Sequence, residues 1–223
     1  MSVQGRLDGI ILDCDGVLLE SVDIKTQAYR SLFADFPEHL DTIVSYHLAH
    51  GGLSRVEKIK HIYRSILGYA LSATKLTELC DRFAALSLNQ VLAAPLVQGT
   101  REFLDTYHCR LHLFVASGTP QQELEVILSR KGLRGYFTAV FGSPLSKVEI
   151  IGRILSGWAL TPSKVLAVGD APTDLEAAAA HGIRFIARVK EGRPSAFSDG
   201  IAMERVRDLS ELRPLVDELV GAR

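Results

Sequence analysis

Four short apolar runs, each followed within a few residues by polar side chains, constrain the fold of this chain more than any other feature. The first run is Gly9–Leu12, and Asp13-Cys14-Asp15-Gly16 follows it directly. The other three runs, residues 111–116, 138–142 and 164–168, precede Ser117, Lys147 and Gly169-Asp170. Such runs are typical of buried parallel strands. Because the carboxyl ends of parallel strands meet at one edge of a sheet, we expect these polar groups to lie together.

The pattern along the chain changes once, which suggests two units. From residue 97 onwards strands and helices alternate, as in a parallel α/β sheet. Between about residues 20 and 92 only amphipathic helical patterns occur, at residues 26–36, 55–67 and 74–92. We therefore expect an α/β fold with a Rossmann-like parallel-sheet core, residues 1–18 and 95–223, and an inserted α-helical cap domain, residues 19–94. Its two short linkers would act as a hinge.

Several helix starts can be identified from capping boxes, in which Ser or Thr is followed three residues later by Glu or Gln. The pattern occurs at Ser54, Thr119, Ser146 and Thr173. Helix capping is a sufficient structural explanation for these side chains, so we assign catalysis to none of them. Pro162, after Thr161, occupies an expected first helical position.

Composition excludes several classes of function. The 223 residues carry a formal net charge of −1, which does not favour nucleic acid or an anionic membrane as a partner. No apolar stretch approaches the roughly 20 residues that span a bilayer. Residues 1–6 lead straight into the first strand, which leaves no room for a secretory signal. The three cysteines, Cys14, Cys80 and Cys109, show no paired or metal-binding spacing. We expect a cytoplasmic protein.

The motifs and their order resemble those of the haloacid dehalogenase superfamily of phosphoryl-transfer enzymes. The resemblance rests on D-x-D-G-V-L at residues 13–18, S-G-T at 117–119, Lys147, and G-D-x-x-x-D at 169–174. It covers nearly the whole chain. Within the superfamily the sequence is similar to the phosphoglycolate phosphatase and β-phosphoglucomutase branch, in which a helical cap follows the first motif.

The resemblance implies a catalytic role for three residues. Asp13 would be the nucleophile that forms an aspartyl-phosphate, and Asp15 would act as proton donor and then acceptor. Lys147 would offset the negative charge of Asp13 and of the phosphoryl group. Phosphoryl transfer requires a nucleophile, a proton donor and positive charge of this kind.

The resemblance also implies a Mg²⁺ cofactor, a hard ion that prefers oxygen ligands. Asp13, the backbone carbonyl of Asp15, and Asp170 would supply ligands. Asp174 lies one helical turn beyond Asp170, and it is either a further ligand or a group that orients one.

Four further residues are candidates for substrate binding. Ser117 and Gly118 lead from a strand into a helix, where backbone N–H groups bind phosphate well. Arg55 and Lys58 belong to a segment, residues 50–58, that resembles the cap specificity loop of the same branch. They would contact an anionic group of the substrate or, alternatively, be ordinary surface charges.

These predictions together indicate a Mg²⁺-dependent phosphatase that hydrolyses a small phosphorylated metabolite. A β-phosphoglucomutase-like sugar-phosphate mutase uses the same carboxylates and is the alternative. A non-catalytic binding or regulatory protein on this scaffold is a third interpretation, and the presence of Asp13, Asp15, Lys147 and Asp170 argues against it.

Overall fold

The computed structural model of this chain describes residues 6–192, 195–197 and 203–221. The residues before the first strand, on which the expectation of no secretory signal depends, lie mostly outside this part. The outer ends of the expected core domain lie outside it as well.

Within the described residues, six parallel strands form the sheet: Gly9–Leu12 (β1), His112–Pro120 (β2), Ala139–Ser143 (β3), Val165–Gly169 (β4), Arg184–Arg188 (β5) and Glu204–Val206 (β6). Their order across the sheet is β3-β2-β1-β4-β5-β6. The central strand β1 pairs with both β2 and β4, so that Leu12 lies beside Val115 and Val168. The expected parallel α/β sheet is confirmed, and its carboxyl edge holds the polar residues that follow the strands.

Five helices of the described chain pack on the two faces of this sheet: Thr100–Tyr107 (α5), Gln121–Arg130 (α6), Lys147–Gly157 (α7), Pro172–Ala180 (α8) and Leu209–Gly221 (α9). Successive side chains of a strand point to opposite faces. Ile10 and Leu12 accordingly belong to the hydrophobic cluster that includes α5, α6 and α9. Ile11 belongs to the cluster that includes α7 and α8.

The helices between β1 and β2 share a hydrophobic cluster of their own. They are Val22–Leu32 (α1), Leu40–Ala49 (α2), Arg55–His61 (α3), which continues as a π-helical turn Ile62–Leu67, and Ala73–Ala93 (α4). Tyr29, Phe33, Ile62 and Phe83 are buried in this cluster. We call residues 19–94 the cap and the rest of the chain the core. A separate cluster supports this division, which stays a prediction.

Helix α2 and the position of α1 differ from the sequence expectation. No helix was expected at Leu40–Ala49, where only Ile43, Val44 and His47 are buried, and α1 begins at Val22 rather than near residue 26. Short helices with few buried positions give a weak periodic signal. Within the described residues, no helix combines the length and apolar character needed to cross a membrane.

Two of the four expected helix caps are confirmed. The Ser54 and Ser146 hydroxyls accept hydrogen bonds from the N–H groups of the residues three positions on. The expectation was wrong for Thr119 and Thr173, because α6 begins at Gln121 and α8 begins at Pro172. Both threonine hydroxyls instead bond across the fold, to the site described next.

Candidate active site

Lys147 joins two carboxylates at the carboxyl edge of the sheet. Its Nζ lies 3.0 Å from Oδ2 of Asp13 and 2.5 Å from Oδ1 of Asp174, and all three side chains are buried. Burial acts to lower the pKa of Lys147, but the charges of Asp13 and Asp174 raise it above its usual value. The lysine is therefore a permanent cation in this site. The Cys14 N–H donates to Oδ1 of Asp13 at 2.7 Å and fixes its orientation.

Three carboxylates lie close together at this site, beside the Lys147 ammonium group. Asp13, Asp170 and Asp174 each offer an oxygen that lies within 4.8 Å of the others. Burial, opposed by Lys147 and assisted by the neighbouring carboxylates, raises the pKa of Asp13 well above its usual value. Burial and the charge of Asp174 raise the pKa of Asp170 to about 7. This excess of negative charge is what a divalent cation would neutralise, and an all-oxygen donor set suits a hard ion.

Asp170 and Asp174 differ in how their oxygens are engaged. The Asp170 carboxylate makes no hydrogen bond or ion pair within the described part of the chain. Asp174 accepts from Lys147 through Oδ1 and from the Ala171 N–H through Oδ2, at 3.3 Å. Asp170 is thus the carboxylate whose oxygens are available to a cation.

Asp15 is held by three hydrogen-bond donors. Ser21 Oγ donates at 2.6 Å, Lys25 Nζ at 2.5 Å and Thr119 Oγ1 at 2.9 Å. Burial acts to raise the pKa of Asp15, but the charge of Lys25 and these hydrogen bonds lower it below its usual value. Asp15 is therefore oriented as a carboxylate in this arrangement, and one of its donors, Lys25, comes from the cap.

A cavity of about 600 Å³ opens between the sheet edge and the cap. Its lining includes Asp15, Gly118 and Asp170 from the core and Tyr29, His47 and Lys58 from the cap. Volumes of this size are typical of small-molecule sites. The candidate carboxylates and the cap thus border one space that suits a small metabolite.

Ser117 and Gly118 lie next to this cavity in different ways. Gly118 lines it, and a Cβ at this position would lie 2.3 Å from the Gly52 carbonyl oxygen. Ser117 is buried, and its hydroxyl accepts a hydrogen bond from the Thr119 N–H at 3.1 Å. Both residues lie in the irregular last part of β2, where the structure brings Gly118 to the cavity wall and Ser117 Oγ holds the backbone at Thr119.

Arg55 and Lys58 are 7% and 4% exposed, so neither is a surface charge. Nη2 of Arg55 donates to both carboxylate oxygens of Glu123 at 2.7 Å, and the guanidinium lies 4.7 Å from the Phe83 ring centroid. Nζ of Lys58 lies 3.0 Å from Nδ1 and 3.2 Å from the carbonyl oxygen of His47. Burial and the charge of Lys25 lower the pKa of Lys58 to about 7.

A glycine pair of the cap is seated on the core beside Lys147. Thr173 Oγ1 donates to the Gly51 carbonyl oxygen at 2.8 Å. Gly52 has φ of +80°, and a Cβ there would lie 2.1 Å from Thr173 Oγ1 and 3.0 Å from Lys147 Nζ. Only glycine combines this backbone conformation with so close an approach.

A sequence model of the haloacid dehalogenase-like hydrolases matches residues 7–182, which include every candidate residue above. The chain belongs to this hydrolase family. No curated protein sequence matches the chain.

Solved structures of similar fold include members of the same superfamily. CbbY from Rhodobacter sphaeroides in complex with phosphate is 18% identical, with a TM-score of 0.68 over 92% of this chain and 96% of that one. A predicted phosphatase from Clostridium acetobutylicum is 18% identical, with a TM-score of 0.74 over 96% and 100%. YfnB from Bacillus subtilis, bound to magnesium, is 17% identical, with a TM-score of 0.69 over 95% and 99%. At these identities the likeness shows the fold alone.

Sequence reasoning missed three residues that contact the candidate side chains: Lys25, Thr119 and Glu123. Thr119 lies within the S-G-T motif, but it also fits a capping box, so it was interpreted as a helix cap rather than as a site residue. Lys25 and Glu123 contact Asp15 and Arg55 across 10 and 68 residues of sequence. Contacts between residues this far apart in the sequence leave no local pattern from which they could be predicted.

Proposed function

We propose that this hydrolase is a Mg²⁺-dependent phosphatase that acts on a small phosphorylated metabolite through an aspartyl-phosphate on Asp13. The observation that carries the proposal is the buried Asp13 carboxylate, 3.0 Å from Lys147 and clustered with Asp170 and Asp174, at the wall of a metabolite-sized cavity. A carboxylate fixed between a cation and a cluster of acids is arranged to attack phosphorus rather than to stabilise the fold.

Neighbouring groups would orient Asp13, the proposed nucleophile, and compensate its charge. The Cys14 N–H holds one oxygen of Asp13, and Lys147 compensates charge at the other. Asp13, Asp170 and the Asp15 backbone carbonyl would hold Mg²⁺, with Asp174 as a ligand or as the group that orients Lys147. The ion would supply positive charge to the phosphoryl oxygens.

Asp15 has the position of an acid and base. As a carboxylic acid it would donate a proton to the leaving oxygen, and as a carboxylate it would accept one from the attacking water. The donors Ser21, Lys25 and Thr119 favour the carboxylate and so the second of these roles in the present arrangement.

The phosphoryl group would lie between Asp13 and the last part of β2, which carries Gly118. Gly118 allows the close approach of an anion to backbone N–H groups. Ser117 supports the same segment, because its Oγ accepts a hydrogen bond from the Thr119 N–H. Lys147, whose Nζ lies 3.0 Å from Oδ2 of Asp13, would place its positive charge near the same group.

The experiment that tests the proposal is phosphate release from a panel of phosphate monoesters, with Mg²⁺ or with EDTA. The panel includes phosphoglycolate, hexose 1- and 6-phosphates and nucleotides, and sugar-phosphate isomerisation is assayed in parallel. We expect release that requires Mg²⁺ and disappears in Asp13→Asn. Asp8→Asn is the matched control, because Asp8 precedes the other end of β1 and its side chain is 43% exposed. Isomerisation without phosphate release would replace the proposal with a mutase.

A further inference from the structure

Arg188, the last residue of β5, is a buried cation whose three guanidinium nitrogens bind three separate points of the chain. Its side chain is 5% exposed. Nε donates to the Arg207 carbonyl oxygen at 2.8 Å, Nη1 to the Gly16 carbonyl oxygen at 3.1 Å, and Nη2 to Oε1 of Glu20 at 2.5 Å. A planar guanidinium can donate in several fixed directions at once, which the ammonium of a lysine does not reproduce. Arg188 therefore holds two points of the segment that follows the first strand.

These two points are the ends of a short turn, residues 16–20, which we call the 16–20 turn. Gly16 follows Asp15 directly in the chain. Glu20 precedes Ser21, whose hydroxyl donates to Oδ1 of Asp15 at 2.6 Å. Each end of the turn is thus fixed to β5 next to a residue on which the orientation of the Asp15 carboxylate depends.

Neutralising Glu20 does not by itself account for Arg188, because a second cation shares that charge. Nζ of Lys190 lies 3.0 Å from Oε2 of Glu20, and the Lys190 side chain is 38% exposed. What Arg188 adds is the simultaneous bond to the Gly16 carbonyl oxygen, made from a buried position. A buried charge is unfavourable unless its donors are satisfied. Displacing the turn would leave such donors unsatisfied, so Arg188 opposes that displacement.

We infer that Arg188 is a positioning residue for Asp15: by fixing both ends of the 16–20 turn to β5, it holds the Asp15 carboxyl where a proton passes to the leaving oxygen. The inference rests on the proposed function, in which Asp15 is the acid and base. Arg188 borders the cavity, but each of its guanidinium nitrogens already donates to the protein. It therefore acts on the reaction through Asp15 and not on the substrate.

The test is Arg188→Lys, assayed with two phosphate monoesters whose leaving groups differ in their need for an acid. Glucose 6-phosphate releases an alkoxide that must be protonated, whereas p-nitrophenyl phosphate releases a stable phenolate. We expect Arg188→Lys to lower kcat/KM for glucose 6-phosphate about 10- to 100-fold, because proton transfer requires close and well-aligned groups. The value for p-nitrophenyl phosphate should stay nearly unchanged. A role in folding alone would lower both values equally.

The matched control is Arg184→Lys at the other end of β5. Nη2 of Arg184 donates to both carboxylate oxygens of Glu204 at 2.6 Å, and its side chain is 22% exposed. This variant also exchanges an ion-paired arginine of the same strand for lysine, so it should leave the ratio of the two kcat/KM values unchanged. An equal loss for both esters in Arg188→Lys, or no loss for either, would overturn the inference.

Amide hydrogen exchange separates failure of the inference from failure of the proposed function. The reporters are the N–H groups of Leu18 and Leu19, which both donate to the Cys14 carbonyl oxygen at 3.0 Å. Arg188→Lys should speed their exchange about tenfold or more, the usual effect of losing a charged hydrogen bond, whereas Arg184→Lys should not.

If no ester of the panel releases phosphate, the phosphatase proposal fails, and faster exchange in Arg188→Lys would still support its hold on the 16–20 turn. Exchange also decides the inference where the wild type hydrolyses only one of the two esters. Unchanged exchange of Leu18 and Leu19 would overturn the inference, whether or not the enzyme is active.

Discussion

The Arg55 guanidinium and the Glu123 carboxylate form a buried ion pair that joins helix α3 of the cap to helix α6 of the core. One nitrogen of Arg55 lies 2.7 Å from both carboxylate oxygens, and the two side chains are 7% and 10% exposed. Removing one partner of a buried pair leaves an uncompensated charge, at a typical cost of about 3–5 kcal/mol. The pair therefore favours the arrangement in which the cap lies on the core.

Glu123→Gln is expected to favour an open cap. Opening lets water solvate the Arg55 charge, so the radius of gyration in small-angle scattering should rise and KM should increase. Glu125→Gln is the control on the same helix, because the Glu125–Arg134 pair is 37% exposed on both sides and such pairs contribute little. Equal scattering curves for wild type and Glu123→Gln would contradict the expectation.

Gly52→Ala should prevent the Gly51-Gly52 segment of the cap from packing against the core. The added Cβ would meet Thr173 Oγ1 at 2.1 Å, beside the catalytic candidate Lys147, so we expect a fall in kcat/KM of at least about tenfold, which corresponds to about 1.4 kcal/mol. Gly68→Ala separates this clash from backbone strain. Gly68 has a similar φ, +71°, but nothing within 4 Å of the added atom. If both variants lose the same activity, strain rather than seating is responsible.

Asp170→Asn and Asp174→Asn should differ in their effect on metal affinity. The oxygens of Asp170 accept no hydrogen bond from any residue that the structure describes, whereas both oxygens of Asp174 are engaged by Lys147 and Ala171. We expect Asp174→Asn to weaken Mg²⁺ binding about 10- to 100-fold, as for residues that orient ligands, and Asp170→Asn to weaken it more. Calorimetric Mg²⁺ titration measures both. Equal losses would make Asp174 a direct ligand.

The lowered pKa of Lys58 predicts how the free energy of unfolding depends on pH. Burial and the charge of Lys25 lower its pKa from 10.5 to about 7 on folding. Below about pH 7 both states are charged, and the folded state bears the full cost of burial. Between about pH 7 and 10.5 the unfolded chain binds more protons, so the lysine's penalty shrinks as pH rises.

Lys58→Met removes this penalty. We expect the variant to be more stable than wild type by about 1–4 kcal/mol near pH 6, with a difference that declines towards pH 10. Urea denaturation at several pH values measures it, with Lys60→Met as the exposed comparison. A difference that grows with pH would contradict the direction of the pKa shift.

The positions of Asp13, Lys147, Asp170 and Asp174 at one sheet edge could be predicted because strand ends are local signals. Parallel pairing then brings those ends together whatever the intervening sequence. Asp13 and Lys147 are the clearest example, since 134 positions separate two groups that lie 3.0 Å apart.

The cap contacts could not be predicted in the same way. Lys25 reaches Asp15 and Thr119, and Arg55 reaches Glu123, only because the cap lies on the core at one particular angle. No periodicity encodes that angle. The sequence therefore identified Arg55 and Lys58 as charged residues near a substrate, but it did not show that one is paired with the core and the other is not.

Borohydride trapping of the enzyme during turnover tests the central claim most directly. Borohydride reduces an aspartyl-phosphate to homoserine, and peptide mass spectrometry locates the converted residue. We expect conversion at Asp13 only when a substrate and Mg²⁺ are both present. Phosphate release without conversion at Asp13, or conversion at another carboxylate such as Asp15, would contradict the account.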